Sequence, residues 1–317
     1  MAGYPREGPS CPAKSPAGGI GVEVKASKLL RQMMRDRIVV AMGVYDVFSA
    51  ILVERTGIDA VYVSGYLTSA STLGLPDLGL MSSTERITVA RHVARRVEVP
   101  VVVDAEEGYG GPLHVMDTVQ QLEAAGAAGI QIDDEEMPTQ CQMFVDVRPK
   151  KLVSIEDMCQ KIRAATDART DPNLLIIARS DVFGTSARAS VPKQELMAEI
   201  IDRGNAYAGA GADLIFVYAQ TPQEAEIYAK AISAPLCGLL GFAAPLSVSD
   251  LEQLGYKLVI CPLPVLAGAA RGILAALEAF REQREWNAMA EFLVPQERLL
   301  EFLRLSEYAK LAKKYGA

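Results

Sequence analysis

The feature that most constrains the fold of this chain is a regular alternation of short β-branched runs with longer helical patterns. Eight runs have the length and composition of buried strands. They are Ile38–Met42, Ala60–Ser64, Val99–Asp104, Gly129–Asp133, Leu174–Arg179, Asp213–Val217, Pro235–Leu240 and Lys257–Cys261. A strand, a helix and a following strand form the unit of a parallel sheet. Such units in succession predict an α/β fold, a (β/α)8 TIM-type barrel.

Capping residues mark where helices begin. The run Ser82-Ser83-Thr84 precedes a helical pattern over Glu85–Val97, and Ser154 precedes a second pattern. Serine and threonine side chains accept hydrogen bonds from the free N–H groups of a first helical turn. The sequence therefore predicts helices at both places.

Three segments differ in composition. Residues 1–26 are rich in proline, glycine and serine, which predicts a disordered tail. Residues 27–282 contain the strand–helix units and form the predicted barrel domain. Residues 283–317 have no strand signal and carry leucines at helical spacing, which predicts a C-terminal helical arm. This arm can dock on its own barrel or on a partner subunit.

Composition excludes several classes of protein. A chain of 317 residues with 50% hydrophobic content can bury a large core. The net charge of -7 argues against nucleic acid as a partner, because phosphate binding needs a basic face. Five widely spaced cysteines without a CxxC pair indicate neither a disulfide framework nor a zinc site. No apolar run approaches the roughly 18 residues that span a bilayer, so we expect a cytoplasmic protein without a membrane partner.

Polar residues stand at the carboxyl ends of consecutive predicted strands. They are Ser64, Asp104, Asp133 and Arg179. In barrels of this type the carboxyl ends of the strands form the face that carries the chemistry. We therefore expect these side chains to converge, although they are distant in sequence.

The third predicted strand runs directly into an acidic loop, Asp104 to Gly110, which contains Asp104, Glu106 and Glu107. Such a loop can simply face solvent. Carboxylate oxygens are also the ligands that Mg2+ and Mn2+ prefer. Convergence with the neighbouring strand ends favours the second interpretation, a site for Mg2+ or Mn2+.

Five segments of the chain resemble a known family. They are Ser64-Gly65, Leu73 through Gly79 (LGLPDLG), Asp104 through Gly110, Ile132-Asp133-Asp134 and Ala178 through Asp181. Their order and spacing are similar to those of the isocitrate lyase and phosphoenolpyruvate mutase superfamily. The nearest branches in motif are the methylisocitrate lyases, the dimethylmalate lyases and the carboxyphosphonoenolpyruvate mutases.

The resemblance implies a site and an assembly. It implies Mg2+ (or Mn2+) held by Asp104, Glu106 and Asp133, directly or through water, with Asp77 reaching toward the ion and the substrate. Ser64 and Gly65 would cradle a carboxylate, and Arg179 would pair with the substrate. Tyr45 is a further expected pocket member. The family's last helix is exchanged between subunits, which implies a homo-oligomer, a dimer of dimers.

The departures from the family pattern concern the substrate and the proton donor. The run Thr139-Gln140-Cys141 stands where the lyases have basic residues beside a catalytic cysteine, so we expect the Cys141 thiol to keep a pKa near the reference value of about 8.5. Cys141 is then either a weak catalytic proton donor or simply a loop cysteine. Glu107 adds a carboxylate that could act as a base.

Several positions that are polar or small in the family are apolar or aromatic in this chain. The expected lining includes Tyr66, Tyr218, Leu239, Leu240 and Phe242, and Gly238 begins the altered turn and is a further expected substrate-binding residue. A lining of this kind predicts a substrate with less charge than methylisocitrate.

These features predict a Mg2+-dependent carbon–carbon lyase that cleaves a 2-hydroxy acid, or condenses a 2-oxo acid, through a metal-stabilised enolate. A phosphonomutase or phosphonopyruvate hydrolase is the first alternative, although Thr139 and Gln140 offer no cation for a phosphoryl group. An oxaloacetate-type decarboxylase or hydrolase is another alternative. A catalytically inactive barrel with a binding role is the last.

Overall fold

The computed structural model describes residues 25–141, 147, 150–185, 190–241 and 246–316. Its centre is a closed parallel barrel in which β1 to β8 follow each other in chain order. The strands are β1 Val39–Val44, β2 Ala60–Val63, β3 Val101–Asp104, β4 Gly129–Asp133, β5 Leu175–Arg179, β6 Leu214–Phe216, β7 Leu236–Leu239 and β8 Leu258–Cys261. The predicted (β/α)8 barrel is therefore confirmed.

Helices lie before, between and after the strands. They are α1 Ala26–Asp36, α2 Val47–Arg55, α3 Gly65–Thr68, α4 Ser83–Ala94, α5 Pro112–Ala125, α6 Ile155–Ala168, α7 Lys193–Ala210, α8 Pro222–Ala231, α9 Val248–Gln253, α10 Pro264–Gln283, α11 Gln296–Phe302 and α12 Leu305–Tyr315. A π-helical turn follows α3, and short 3-10 turns follow β5 and α10. Both predicted caps are present, since Ser82 accepts from Glu85 N and Ser154 accepts from Asp157 N.

Seven of the eight predicted strands contain the observed one, and the first predicted strand overlaps it. The barrel closes where β1 pairs with β8, from Val39 opposite Leu258 to Met42 opposite Cys261. The first strand runs two residues beyond the predicted end because Val44 still pairs with Val63 of β2. Pairing with both neighbours decides these ends, and a single-chain pattern does not contain that information.

Helix α1 closes the amino-terminal end of the barrel. Leu30 of α1 is fully buried in the same apolar cluster as Val39 and Leu258, which begin their strands. The Nη2 atom of Arg31 lies 2.7 Å from Asp213 Oδ1, at the start of β6. The opposite, carboxyl end is left for the polar residues that terminate the strands.

The described chain forms two compact units, Met1–Leu263 and Pro264–Ala317. Helix α10 begins at the second unit's first residue and continues to Gln283, across the predicted boundary between residues 282 and 283. Residues 1–24 of the predicted tail, and Phe242, lie outside the described residues. Within the described chain, no helix combines the length and the apolar character needed to cross a membrane.

Candidate metal and substrate site

A cavity of about 390 Å³ opens at the carboxyl ends of the strands, and we call it the carboxylate cavity. Its polar wall consists of Asp77, Asp104, Glu106, Asp133 and Arg179, with Ser64, Glu135, Gln140 and Cys141 beside them. Arg179 is the positively charged residue among the described side chains that line it. The strand ends therefore converge, as the barrel prediction required.

Asp104 ends β3 and is held by donors from three neighbouring segments. Its Oδ2 atom accepts from the Tyr62 hydroxyl at 2.8 Å and from Gly65 N at 3.1 Å. Its Oδ1 atom accepts from Glu106 N at 3.1 Å and from Gln131 Nε2 at 3.4 Å. Because these donors belong to rigid strands or strand ends, the carboxylate has one fixed orientation.

Gly65 leaves room for this carboxylate. A Cβ atom at Gly65 would lie 2.8 Å from Asp104 Oδ2 and 3.0 Å from Glu106 Oε1. Only a residue without a side chain permits both carboxylates to approach the start of α3 so closely. The Gly65 N–H donates a hydrogen bond to Asp104. The resemblance implied instead that Gly65 would bind a carboxylate of the substrate.

Asp133 and Arg179 end neighbouring strands and face each other. Gln131 Nε2 donates to Asp133 Oδ1 at 2.8 Å, and Arg179 Nη1 lies 3.5 Å from Asp133 Oδ2. The guanidinium is anchored on its other edge, where Nε and Nη2 donate to the two oxygens of Asp181 at 2.8 and 2.9 Å. These two hydrogen bonds fix the Arg179 guanidinium. Its Nη1 atom, beside Asp133, is then the atom available to a ligand in the cavity.

Glu106 is held from behind by a buried arginine. Arg86 of α4 is fully buried and its Nη2 atom donates to Glu106 Oε1 at 2.8 Å. Thr139 donates from its hydroxyl to Glu106 Oε2 at 3.0 Å. The backbone of Glu106 is left-handed, with φ of 52°, and Gly108 continues the turn at φ of 87°. The acidic loop therefore takes a conformation that glycine favours and that its surroundings hold in place.

Crowding of carboxylates raises their pKa values. Burial and then Asp104 raise the pKa of Asp77 to about 6. Burial, then Asp77 and Asp104, raise the pKa of Glu106 to about 8, although Arg86 opposes the shift. Burial above all raises the pKa of Asp133 as well, against the opposing charge of Arg179. A divalent cation among these oxygens would offset both the desolvation and the mutual repulsion.

The donor set fits a hard divalent cation. Four of the carboxylates that line the cavity, Asp77, Asp104, Glu106 and Asp133, supply oxygen ligands only, and Mg2+ or Mn2+ suits such ligands. These residues would hold the ion at the corner formed by β3, β4 and the segment that carries Asp77.

A second group of acidic side chains is already neutralised. Asp133, Glu135 and Asp181 each offer one oxygen, and these atoms lie within 4.8 Å of one another. The Lys150 ammonium, however, donates to Glu135 Oε1 and also to Asp181 Oδ2, the latter at 2.7 Å. We interpret Glu135, Lys150 and Asp181 as a buried ion-pair network that supports Arg179, with Asp133 as the member that faces the metal corner.

Apolar and aromatic side chains form a further part of the lining of the carboxylate cavity, which we call the apolar wall. It consists of Tyr66, Phe216, Tyr218, Leu239, Ile260, Pro262 and Leu263. The Phe216 ring lies 5.3 Å from the Arg179 guanidinium carbon, a cation–π distance. The cavity therefore combines several carboxylates with apolar and aromatic side chains that can contact an alkyl group of a ligand.

The predicted site and its expected lining include five described residues that do not line this cavity: Tyr45, Gly65, Glu107, Gly238 and Leu240. Leu240 is half-buried directly after β7 and lines neither cavity. Gly65 contacts Asp104 as described above. Glu107 lines a second cavity of about 280 Å³ on the other side of the acidic loop. A Cβ atom at Gly238 would meet Leu251 of α9, so this glycine faces the helices. Tyr45 is half-buried after β1 and is absent from the lining of either cavity.

Several site residues were missed at the level of sequence. The most consequential is Arg86, which shares the buried face of α4 with Ala90 and Val93. A charged residue that recurs at helical spacing with buried apolar residues indicates a buried ion pair, and this pattern could have identified Arg86. Tyr62 and Gln131 sit at inward positions of strands, where a polar residue in a β-branched run is the corresponding signal.

The fold and the cavity define a (β/α)8 barrel enzyme whose polar site lies at the carboxyl ends of its strands. The profile of the family described as phosphoenolpyruvate phosphomutase matches residues 30–281. The chain belongs to this family, and it is an enzyme of the carbon–carbon lyase class. The resemblance inferred from the motifs is thereby confirmed.

Relatives of known activity cover nearly the whole chain. The 2,3-dimethylmalate lyase of Eubacterium barkeri is 33% identical over 92% of this chain and 98% of its own. The 2-methylisocitrate lyase of Aeropyrum pernix is 35% identical over 89% of this chain and 88% of its own. A phosphonopyruvate hydrolase solved with oxalate and Mg2+ superposes with a TM-score of 0.81 at 27% identity. The match covers 92% of this chain and 100% of the hydrolase.

Proposed function

We propose that the protein is a Mg2+-dependent lyase that cleaves a 2-hydroxy carboxylic acid into a 2-oxo acid and a second acid, or catalyses the reverse condensation. The observation that carries this proposal is the mixed lining of the cavity, in which carboxylates and one fixed arginine are combined with an apolar wall. Bound Mg2+ supplies a Lewis acid that polarises a carbonyl and stabilises negative charge developing on oxygen. The names of the relatives support the same class of reaction.

Arg179 is the proposed clamp for the substrate carboxylate. Its Nε and Nη2 atoms are occupied by Asp181, so the Nη1 edge beside Asp133 is the one turned to the cavity. A guanidinium held in this way loses little conformational entropy when it binds an anion. Lys150 does not line the cavity and acts on the site through Asp181 and Glu135, to which its ammonium donates.

The apolar wall sets the substrate class. Tyr218, Leu239 and Phe216 line the same cavity as the carboxylates. We expect the substrate to carry an alkyl substituent where methylisocitrate carries a charged arm, since an unpaired carboxylate against this wall would lose its hydration. Small alkyl-substituted malates are the simplest acids of this kind.

Cys141 is the proposed proton donor. Cys141 lines the cavity, and its backbone N–H donates to Asp77 O at 2.9 Å. This hydrogen bond ties the segment of Cys141 to the segment that carries Asp77, one of the proposed metal ligands. A thiol can protonate a carbanion that forms nearby, provided that its pKa is near the working pH.

An assay with a panel of acids tests the proposal. The panel contains alkyl-substituted malates, methylisocitrate, oxaloacetate and phosphonopyruvate, each with Mg2+, and the readouts are released 2-oxo acid and released phosphate. We expect release from the alkylmalates above all. Phosphate release from phosphonopyruvate would favour the phosphonate alternative, and oxalate or pyruvate from oxaloacetate would favour the hydrolase or decarboxylase.

A binding experiment tests the proposed metal and substrate site directly. We expect Mg2+ with oxalate to raise the melting temperature of the wild-type protein, because ligands of the folded state stabilise it by mass action. Asp104→Asn should lose this shift. Asp134→Asn is the matched control, since Asp134 is a fully buried carboxylate that binds Arg203 and Tyr207 outside the cavity. No shift in the wild-type protein would contradict the proposal.

For the C-terminal arm we propose exchange between subunits in a dimer of dimers. Helices α10 to α12 and their connections expose many large apolar side chains, including Ile273, Leu277, Trp286, Leu303 and Tyr308. A soluble monomer rarely leaves so much apolar surface in water, and a second copy of the chain would cover it. Light scattering should give a tetramer mass, and Leu277→Glu with Trp286→Glu should lower it. A monomeric wild-type protein would refute this.

A further inference from the structure

Arg86 joins two segments that meet at the metal corner. Its Nη1 atom donates to Ser64 O at 2.8 Å and to the Thr68 hydroxyl. Its Nη2 atom donates to Glu106 Oε1 at 2.8 Å and to Gly65 O at 3.4 Å. One guanidinium thus connects the start of α3 to the acidic loop, and no part of it reaches solvent.

Arg86 is not part of the wall that a ligand would touch. The carboxylate cavity is lined by Glu106 but not by Arg86, which lies behind that carboxylate. Glu106 therefore stands between a permanent internal cation and the place where a divalent cation would sit. An arginine stays charged at every accessible pH, so its field on the corner is constant.

We propose that Arg86 is a positioning residue that competes with the divalent cation for Glu106 and so sets the metal affinity of the site. This inference rests on the proposed function, because it assumes that the corner of Asp77, Asp104 and Asp133 binds the ion. Counting formal charges, those three carboxylates and Glu106 face two guanidiniums, Arg86 and Arg179, which leaves a net charge of about -2. Removing Arg86 makes it about -3, and neutralising Glu106 makes it about -1.

The sign of the effect distinguishes this role from a structural one. A fixed unit charge one carboxylate away from a divalent ion changes its affinity by at least about tenfold at the screening typical of protein interiors. Loss of a purely structural arginine would disorder the corner and weaken binding. Loss of a competing cation tightens binding, although it destabilises the metal-free protein by leaving Glu106 buried without its partner.

The experiment measures Mg2+ binding by calorimetry at pH 8.5, without substrate, for the wild type and a mutant cycle. We expect Arg86→Met to bind Mg2+ at least tenfold more tightly and Glu106→Gln at least tenfold more weakly. The double variant, which restores the wild-type charge balance, should return to within about threefold of wild type. It also removes both partners of the buried pair, so it serves as the folded variant if Arg86→Met alone does not fold.

Two further variants complete the design. Arg86→Lys keeps the charge and should stay within about threefold of wild type. Arg203→Met is the matched control: Arg203 is also a buried helix arginine, and its Nη1 atom lies 3.3 Å from the strand-end carboxylate of Asp134. This variant should lower the melting temperature without changing Mg2+ affinity.

Each result bears on one of the two proposals. If wild-type protein binds no Mg2+, the proposed function fails, and this inference fails with it. If wild type binds Mg2+ but Arg86→Met binds equally well or more weakly, only the role of Arg86 is overturned. A double variant no better than Glu106→Gln also overturns it, because Glu106 would then act independently of Arg86.

Discussion

The close approach of Gly65 to two carboxylates supports a quantitative prediction for Gly65→Ala. The new Cβ atom would stand 2.8 Å from Asp104 Oδ2, whereas ordinary contact begins at 3.4 Å, so the carboxylate must retreat by about 0.6 Å. Metal ligands tolerate only about 0.2 Å of displacement. We expect Mg2+ with oxalate to bind about 10- to 100-fold more weakly and stability to fall by about 1–3 kcal/mol.

Calorimetric titration and urea denaturation of the same preparations provide the assay. Gly111→Ala is the matched control, because this glycine follows the acidic loop with an ordinary φ of -77°, and a Cβ atom added there would meet open space within 4 Å. The control should bind Mg2+ with oxalate as the wild type does. Wild-type affinity in Gly65→Ala, or an equal loss in Gly111→Ala, would refute the steric reasoning.

Three further predictions concern charge and proton transfer. Arg179→Lys should weaken oxalate binding in the presence of Mg2+ by about 100-fold, since an ammonium cannot keep the two-bond fork to Asp181, and unchanged binding in a titration would contradict the clamp. Cys141→Ser should reduce turnover of the best acid in the panel by less than about 100-fold; a larger loss of kcat would make the thiol essential. Metal-free protein should lose stability as the pH rises from about 4.5 toward 8, because folded Asp77 and Glu106, with pKa values of about 6 and about 8, retain protons that the unfolded chain releases. Urea denaturation in EDTA measures this, and a flat profile between about pH 5 and 8 would count against it.

Residues at strand ends were the part of the site that the sequence could predict. Asp104, Asp133 and Arg179 each follow a β-branched run, and parallel strands in a barrel bring such ends together. Asp77 was identified only through the family motif, because it lies in a connection and no periodic pattern places it. The side chain that holds Glu106 could not be found in either way, since Arg86 reaches it from a helix distant in sequence.

The sequence by itself determined the eightfold order of strands, because hydrophobic periodicity and capping residues act locally along the chain. Tertiary structure decided which way each loop residue faces. Glu106 lines the carboxylate cavity as well as the second one, whereas its neighbour Glu107 lines only the second, since one step along a turn changes the direction of a side chain. It also decided that Gly238 faces α9 and that Glu106 has a buried partner, and both depend on contacts between segments distant in sequence.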